Sequence, residues 1–233
     1  MYIWAIFLIE IFVIFLTSRA IFQSFFVIFY LLFRSEKMSI TLLSIFFFPG
    51  VIVHELSHLL TAEILGVKTH GIYLVPEYRN GRLKMGSVLV DHSDFIRQFF
   101  IGVAPLFTGL WLLSSICYLL FTHLDFAMVL HSPFMMVMLL LASYLTFAVT
   151  NTMFSSKKDM DGALELFIVI GIVFTVVYFL NFHLEQYFIN LIQIPQILEI
   201  IKQTTILFSI PLGFNLTTVF LASTILKKRG VRI

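Results

Sequence analysis

The residues best suited to chemistry are His54-Glu55-Leu56-Ser57-His58. On a helix, two imidazoles at i and i+4 share one face, about one turn apart. Both can then bind one Zn²⁺, with the intervening Glu55 close enough to act on a metal-bound water. The flanks are Phe46-Phe47-Phe48-Pro49-Gly50-Val51-Ile52-Val53 and Leu59-Leu60-Thr61-Ala62, apolar enough for a bilayer. Water-consuming chemistry is therefore expected inside a membrane helix. Pro49-Gly50 reads as the ordinary tolerance of membrane spans for such residues, with a local bend as the alternative.

Two His ligands leave a catalytic zinc one protein ligand short of the usual three. A third His six residues after His58 is absent, because that position is Ile64. Glu63 lies about 2.5 helical turns from His54 and so points to the opposite face. Glu77 follows Pro76 in a polar loop and reads as solvated. The stronger candidates lie in Asn151-Thr152-Met153-Phe154-Ser155-Ser156-Lys157-Lys158-Asp159-Met160-Asp161-Gly162. A carboxylate near membrane depth is costly unless paired or metal-bound. Asp161 suits the cap of a helix starting near Gly162, where carboxylates favour the N-terminal dipole. That leaves Asp159 for the metal, one Zn²⁺ per chain. His70, His92, His123, His131 and His183 read as interfacial or surface histidines. The single Cys117 lies in an apolar run, so no internal disulfide and no Cys-based zinc site is expected.

These side chains need a scaffold, and composition says which kind. The chain of 233 residues is 60% hydrophobic and only 12% charged, with a mean hydropathy of +1.00. Soluble domains carry about 25% charged residues. The expected fold is an all-α polytopic membrane protein of about six transmembrane helices embedded in a lipid bilayer. Residues 1–33 read as one long tilted helix, or two broken near Ser18. The N-terminus lacks a basic n-region and a small-residue cleavage site, so it reads as a retained membrane segment. Residues 39–65 form the HExxH helix, with Gly66 as its stop. Further spans are expected at 98–121, 132–150, 163–181 and 205–226, and an interfacial segment at 184–203. This divides the chain into an N-terminal membrane part (1–38), a core (39–165) and C-terminal spans with a basic tail (166–233).

The stretch 67–97 reads as the only substantial non-membrane piece. Val67 to Pro76 alternates and is rich in β-branched and aromatic residues, as a strand would be. Asn80-Gly81 signals a turn, and Leu83 to Val90 is expected to return as a second strand, making a small β-hairpin. With this loop cytoplasmic, one side collects Lys68, Arg79, Arg82, Lys84, Arg97, Lys157, Lys158, Lys227, Lys228, Arg229 and Arg232. The other side receives Arg34, Lys37 and Lys202, a bias that puts the C-terminus and the HExxH side in the cytoplasm. Net charge of +2 says nothing about nucleic acid; no basic cluster is interleaved with aromatics, and no nucleic-acid partner is expected.

The chain resembles the site-2 proteases, the intramembrane zinc metalloproteases of the M50 type. The resemblance rests on Val53-His54-Glu55-Leu56-Ser57-His58 in an apolar helix followed by Leu65-Gly66-Val67 and a strand-like segment. It rests further on Gly102-Val103-Ala104-Pro105-Leu106, which loosely matches a packing segment of that family, and on the spacing from Asn151 to Asp159. It spans residues 45–165. The family pattern Asn-x-x-Pro-x-Pro-x-Leu-Asp-Gly differs here at Phe154 and Lys158. Gly162 directly follows Asp161 rather than Asp159, so Asp161 stays as the alternative ligand. The form from Ser156 to Gly162 is similar to the compact M50B-like branch. The resemblance implies an enzyme that cuts peptide bonds in or near transmembrane segments of membrane-protein substrates. It implies a role for the Val67–Pro76 strand as the edge onto which an unwound substrate adds. It also implies that Asn151 binds substrate backbone, against the alternative that Asn151 satisfies its own helix end.

The competing readings are an inactive relative that binds transmembrane helices as adaptor or chaperone, a CAAX-type membrane protease and a transporter with a midplane metal site. Glu165, Glu185 and Glu199 lack the context of a CAAX-type ligand. A transporter would need ionisable residues spread over several spans.

Overall fold

The computed structural model describes residues 2–74, 77–79, 82–123, 132–154 and 194–228, with scattered positions between 168 and 179. Most of the 163–181 span and residues 184–193 of the 184–203 segment fall outside the described residues. The described residues include five long helices: α1 (Tyr2–Phe33), α2 (Glu36–Ile64), α3 (Phe95–His123), α4 (Pro133–Thr152) and α5 (Pro195–Lys228). Between α2 and α3 lie β1 (Thr69–Tyr73), β2 (Glu77–Arg79), β3 (Arg82–Lys84) and β4 (Ser87–Val90).

Among the described residues, four helices are long and apolar enough to cross a membrane: Glu36–Ile64, Phe95–Leu120, Pro133–Thr152 and Pro195–Ile225. A fifth is a bent pair, Tyr2–Ser18 and Ala20–Phe33, with 43° between its halves. The break falls where Thr17-Ser18-Arg19 interrupts the apolar run. Thr17 and Ser18 turn their hydroxyls back onto the carbonyls of Val13 and Phe15, a bonding pattern that bends helices.

The expected interfacial segment is corrected at its end. Residues 195–203 are the opening turns of α5, continuous with the expected 205–226 span. Pro195 occupies the first helical position, where its missing N–H costs nothing. Nothing between it and Pro211 breaks the helix, and Glu199 and Gln203 bond to each other one turn apart.

Phenylalanine supplies much of the packing. Phe25 lies 5.0 Å from Phe46 and 5.6 Å from Phe47, Phe22 lies 4.6 Å from Phe47, and Phe147 lies 5.0 Å from Phe214. These contacts tie α1, α2, α4 and α5 together through dispersion and edge-to-face ring electrostatics. They matter here because lipid tails are as apolar as the core, so close packing rather than water exclusion must hold the helices. The same need appears at Gly50, where a Cβ would collide with the Ala148 carbonyl and the Thr152 hydroxyl of α4.

The end of α2 shows why the chain turns at Gly66. Val67 N–H donates to Ala62 O at 2.8 Å and Gly66 N–H to Glu63 O at 3.0 Å. Gly66 has φ +68°, the left-handed conformation this Schellman closure requires. Val67 then packs on Ala62 and Ile101.

The β-hairpin has the expected pairing. β1 and β4 pair antiparallel, with Tyr73 opposite Ser87, and β2 and β3 form a separate antiparallel pair, with Arg79 opposite Arg82. It packs against α2. Near its base, Val67 and Val90 pack beside Ala62 of α2. Farther along, Leu74 and Met85 reach the cluster holding Phe47 and Val51. The strands therefore lie along α2 for about 16–22 Å, past the HExxH turn.

Candidate active site

Helical pitch brings His54 and His58 together, and the fold buries them. His54 and Glu55 are 4% and 5% exposed, and His58 is half-buried. The imidazole rings stand nearly perpendicular, with centroids 4.8 Å apart. The two Nε2 atoms lie 3.2 Å from each other. His58 Nδ1 lies 2.7 Å from the backbone carbonyl of Ile101 in α3. A carbonyl oxygen only accepts, so Nδ1 carries the hydrogen and donates it. In a neutral imidazole the Nε2 lone pair is then left facing His54.

This arrangement fits a zinc ion. Two nitrogens at Zn–N of about 2.0–2.1 Å and a tetrahedral angle stand about 3.3–3.4 Å apart. The observed 3.2 Å is within a few tenths of that edge. The Nδ1–H on a backbone carbonyl is the usual outer contact of a zinc-bound His. The same spacing also accommodates an Nε2–H···Nε2 hydrogen bond from His54, so metal content separates the two cases.

No family model, curated protein or solved structure matches this chain. The functional reading therefore stands on the geometry and on the resemblance of its motifs.

Glu55 follows His54 and is turned about 100° around α2. The hairpin covers it: a Cβ on Gly86 would stand 2.8 Å from Glu55 Oε1 and 3.0 Å from Val51 Cγ1. Gly86, in the link between β3 and β4, thus leaves the space that the Glu55 carboxylate occupies. The sequence reading did not single it out. Its only signal was a glycine between two strand-like runs, which marks close approach of another group.

The end of α4 lies against the same stretch of α2. Gly50 and His54 are one turn apart on the same face of α2, and Gly50 abuts Ala148 and Thr152. The last turn of α4 therefore ends beside the face that carries both histidines. The chain continues from there toward Asp159 and Asp161, which lie outside the described residues. Among the described residues, no third His, Cys, Asp or Glu joins the histidines in a metal-sized group.

Asn151 is fully buried in α4. Its Nδ2 donates to Phe147 O at 2.9 Å and to Asn215 Oδ1 of α5 at 3.1 Å. Asn215 Nδ2 returns a bond to Asn151 Oδ1 at 2.7 Å and reaches Thr17 Oγ1 of α1 at 3.5 Å. Both amide hydrogens of Asn151 are thus engaged, one with its own helix and one with α5. A substrate carbonyl would have to displace Asn215 to use that amide. Asn215 was missed in the sequence, although an Asn inside a span signals a partner on a neighbouring helix.

Proposed function

We propose that this protein is an integral multi-pass zinc metalloendopeptidase, similar to the site-2 proteases, that hydrolyses peptide bonds in or near transmembrane segments. One observation carries the reading: the convergent Nε2 pair of His54 and His58, with His58 held from behind by Ile101 O. Asp159 would complete the ligand set, with Asp161 as the alternative.

When bound, zinc would supply a water of lowered pKa and a Lewis acid for the scissile carbonyl. The chain's own residues do the rest. His58 is locked in one tautomer by the Ile101 carbonyl. Glu55, buried beside Gly86, accepts the proton of the attacking water on a carboxylate oxygen and hands it to the leaving amine. Its burial, with Gly86 of the hairpin against the carboxylate, limits the access of bulk water to it. A transmembrane helix hides its carbonyls in its own hydrogen bonds, so a substrate must unwind before it can be cut. β1, which pairs only with β4 among the described residues, would accept that unwound segment along its other edge. Asn151 would contact substrate backbone once released from Asn215. The hairpin side faces the cytoplasm in this reading, as the Lys and Arg distribution suggests.

The test is metal content of the detergent-purified chain, measured for the native protein and for Asp159→Ala and Asp161→Ala. The reading expects one zinc per chain, lost in Asp159→Ala and kept in Asp161→Ala. A native chain without zinc would instead favour a non-catalytic helix-binding protein.

A further inference from the structure

Pro105 lies in the interior of α3. Proline has no N–H, so the carbonyl four residues before it loses its helical donor. In α3 that carbonyl belongs to Ile101, and it is the one that accepts His58 Nδ1–H at 2.7 Å. Two other helix-interior prolines, Pro49 and Pro211, release the carbonyls of Ile45 and Leu207 by the same count, and neither meets a histidine in the hydrogen bonds of the described residues.

We propose that Pro105 is a positioning residue of the metal centre. By withholding a backbone donor, it leaves the Ile101 carbonyl available to His58 and so makes Nε2 the ligating nitrogen. This rests on the zinc reading above and deepens it. An N–H at position 105 would compete for Ile101 O with the ideal geometry of a helical bond. The His58 ring would then be free to move its hydrogen to Nε2, which blocks the lone pair aimed at His54. His58 and Ile101 are 43 positions apart, on α2 and α3, which makes this an interhelical device. Packing of Ala62, Val67 and Ile101 in one cluster holds the two helices at the required distance.

The experiment uses the full chain in detergent, native and as Pro105→Ala, with Pro211→Ala as the control for losing a helix kink. The first readout is ¹⁵N NMR of the histidine rings in metal-free protein, with the His58 signals assigned through His58→Gln. The native ring is expected in the Nδ1–H form, and Pro105→Ala is expected to show a mixture of tautomers. The second readout is zinc affinity by chelator competition, expected to weaken about 10–100-fold in Pro105→Ala and to stay native in Pro211→Ala. An α-hydroxy acid at position 105, which also lacks the N–H, should restore both. A kink that merely shaped the fold would not move the ring tautomer. A native His58 in the Nε2–H form overturns the proposal with no variant needed. Equal zinc affinity in native and Pro105→Ala chains overturns it while the metal reading stands. A native chain that binds no zinc overturns the metal centre and the ligating role built on it.

Discussion

Asn151 and Asn215 exchange two side-chain hydrogen bonds, at 3.1 and 2.7 Å, in the buried contact between α4 and α5. Removing either partner leaves an amide without its mate. Asn215→Leu and Asn151→Leu should each destabilise the protein by about 1–2 kcal/mol. The double variant should recover part of that loss, because no buried amide then remains unmatched. Thermal unfolding of the four proteins in one detergent measures the coupling. Strict additivity would show that the pair is energetically unimportant.

Glu55→Gln keeps the shape of the side chain and removes its capacity to take a proton. Zinc content should stay at the native level while peptide-bond hydrolysis falls to background. A cleavage assay against reconstituted transmembrane segments, with metal analysis beside it, checks both halves. Cleavage by this variant would sink the proposed role of Glu55.

Gly86→Ala places a methyl group against Glu55 Oε1 and Val51. The carboxylate end can swing away, so the cost to stability should be modest, about 1–3 kcal/mol as for overpacking elsewhere. The cost to turnover should be larger, at least about tenfold, since small misplacements of a catalytic group are expensive. Metal content should not change. A variant with native turnover would mean that the hairpin does not set the carboxylate.

Gly50→Val presses a side chain into the backbone of α4 at Ala148. Backbone cannot yield as a side-chain tip does, so α2 and α4 must separate. The expected result is a lower unfolding midpoint together with weakened metal binding, because α4 then moves away from the face of α2 that carries Gly50 and His54. Lower stability with native zinc affinity would place the third ligand elsewhere.

Removing the metal gives a further check on the fold. A ligand that binds only the folded chain stabilises it by RT ln(1 + [L]/Kd), about 4 kcal/mol at a thousandfold excess over Kd. Treatment with a zinc chelator should lower the native unfolding midpoint and leave that of His54→Ala unchanged. Equal shifts in both would point to a non-specific effect of the chelator.

Local physics made much of this protein readable from its residues. The apolar runs that became α2, α3 and α4 follow from the absence of water in a bilayer, which forces backbone groups to pair within each segment. The face shared by His54 and His58 follows from 3.6 residues per turn. Gly66 ends α2 because the closure needs φ +68° there. Each of these depends on neighbours within about five positions along the chain.

Contacts between distant segments were decided only by the tertiary structure. The tautomer of His58 is set by a carbonyl 43 positions away, released by a proline on another helix. The space around Glu55 is set by Gly86 of the hairpin. The partner of Asn151 is 64 positions away on α5. Hydropathy carried no sign that the hairpin would lie along α2, because polar strands and membrane helices look unrelated until Leu74 and Met85 meet Phe47 and Val51. The candidate chemistry is therefore proposed from the order of the residues. Its aim is a property of packing, since a side chain's direction depends on what it touches and sequence spacing records only what lies beside it on the same element.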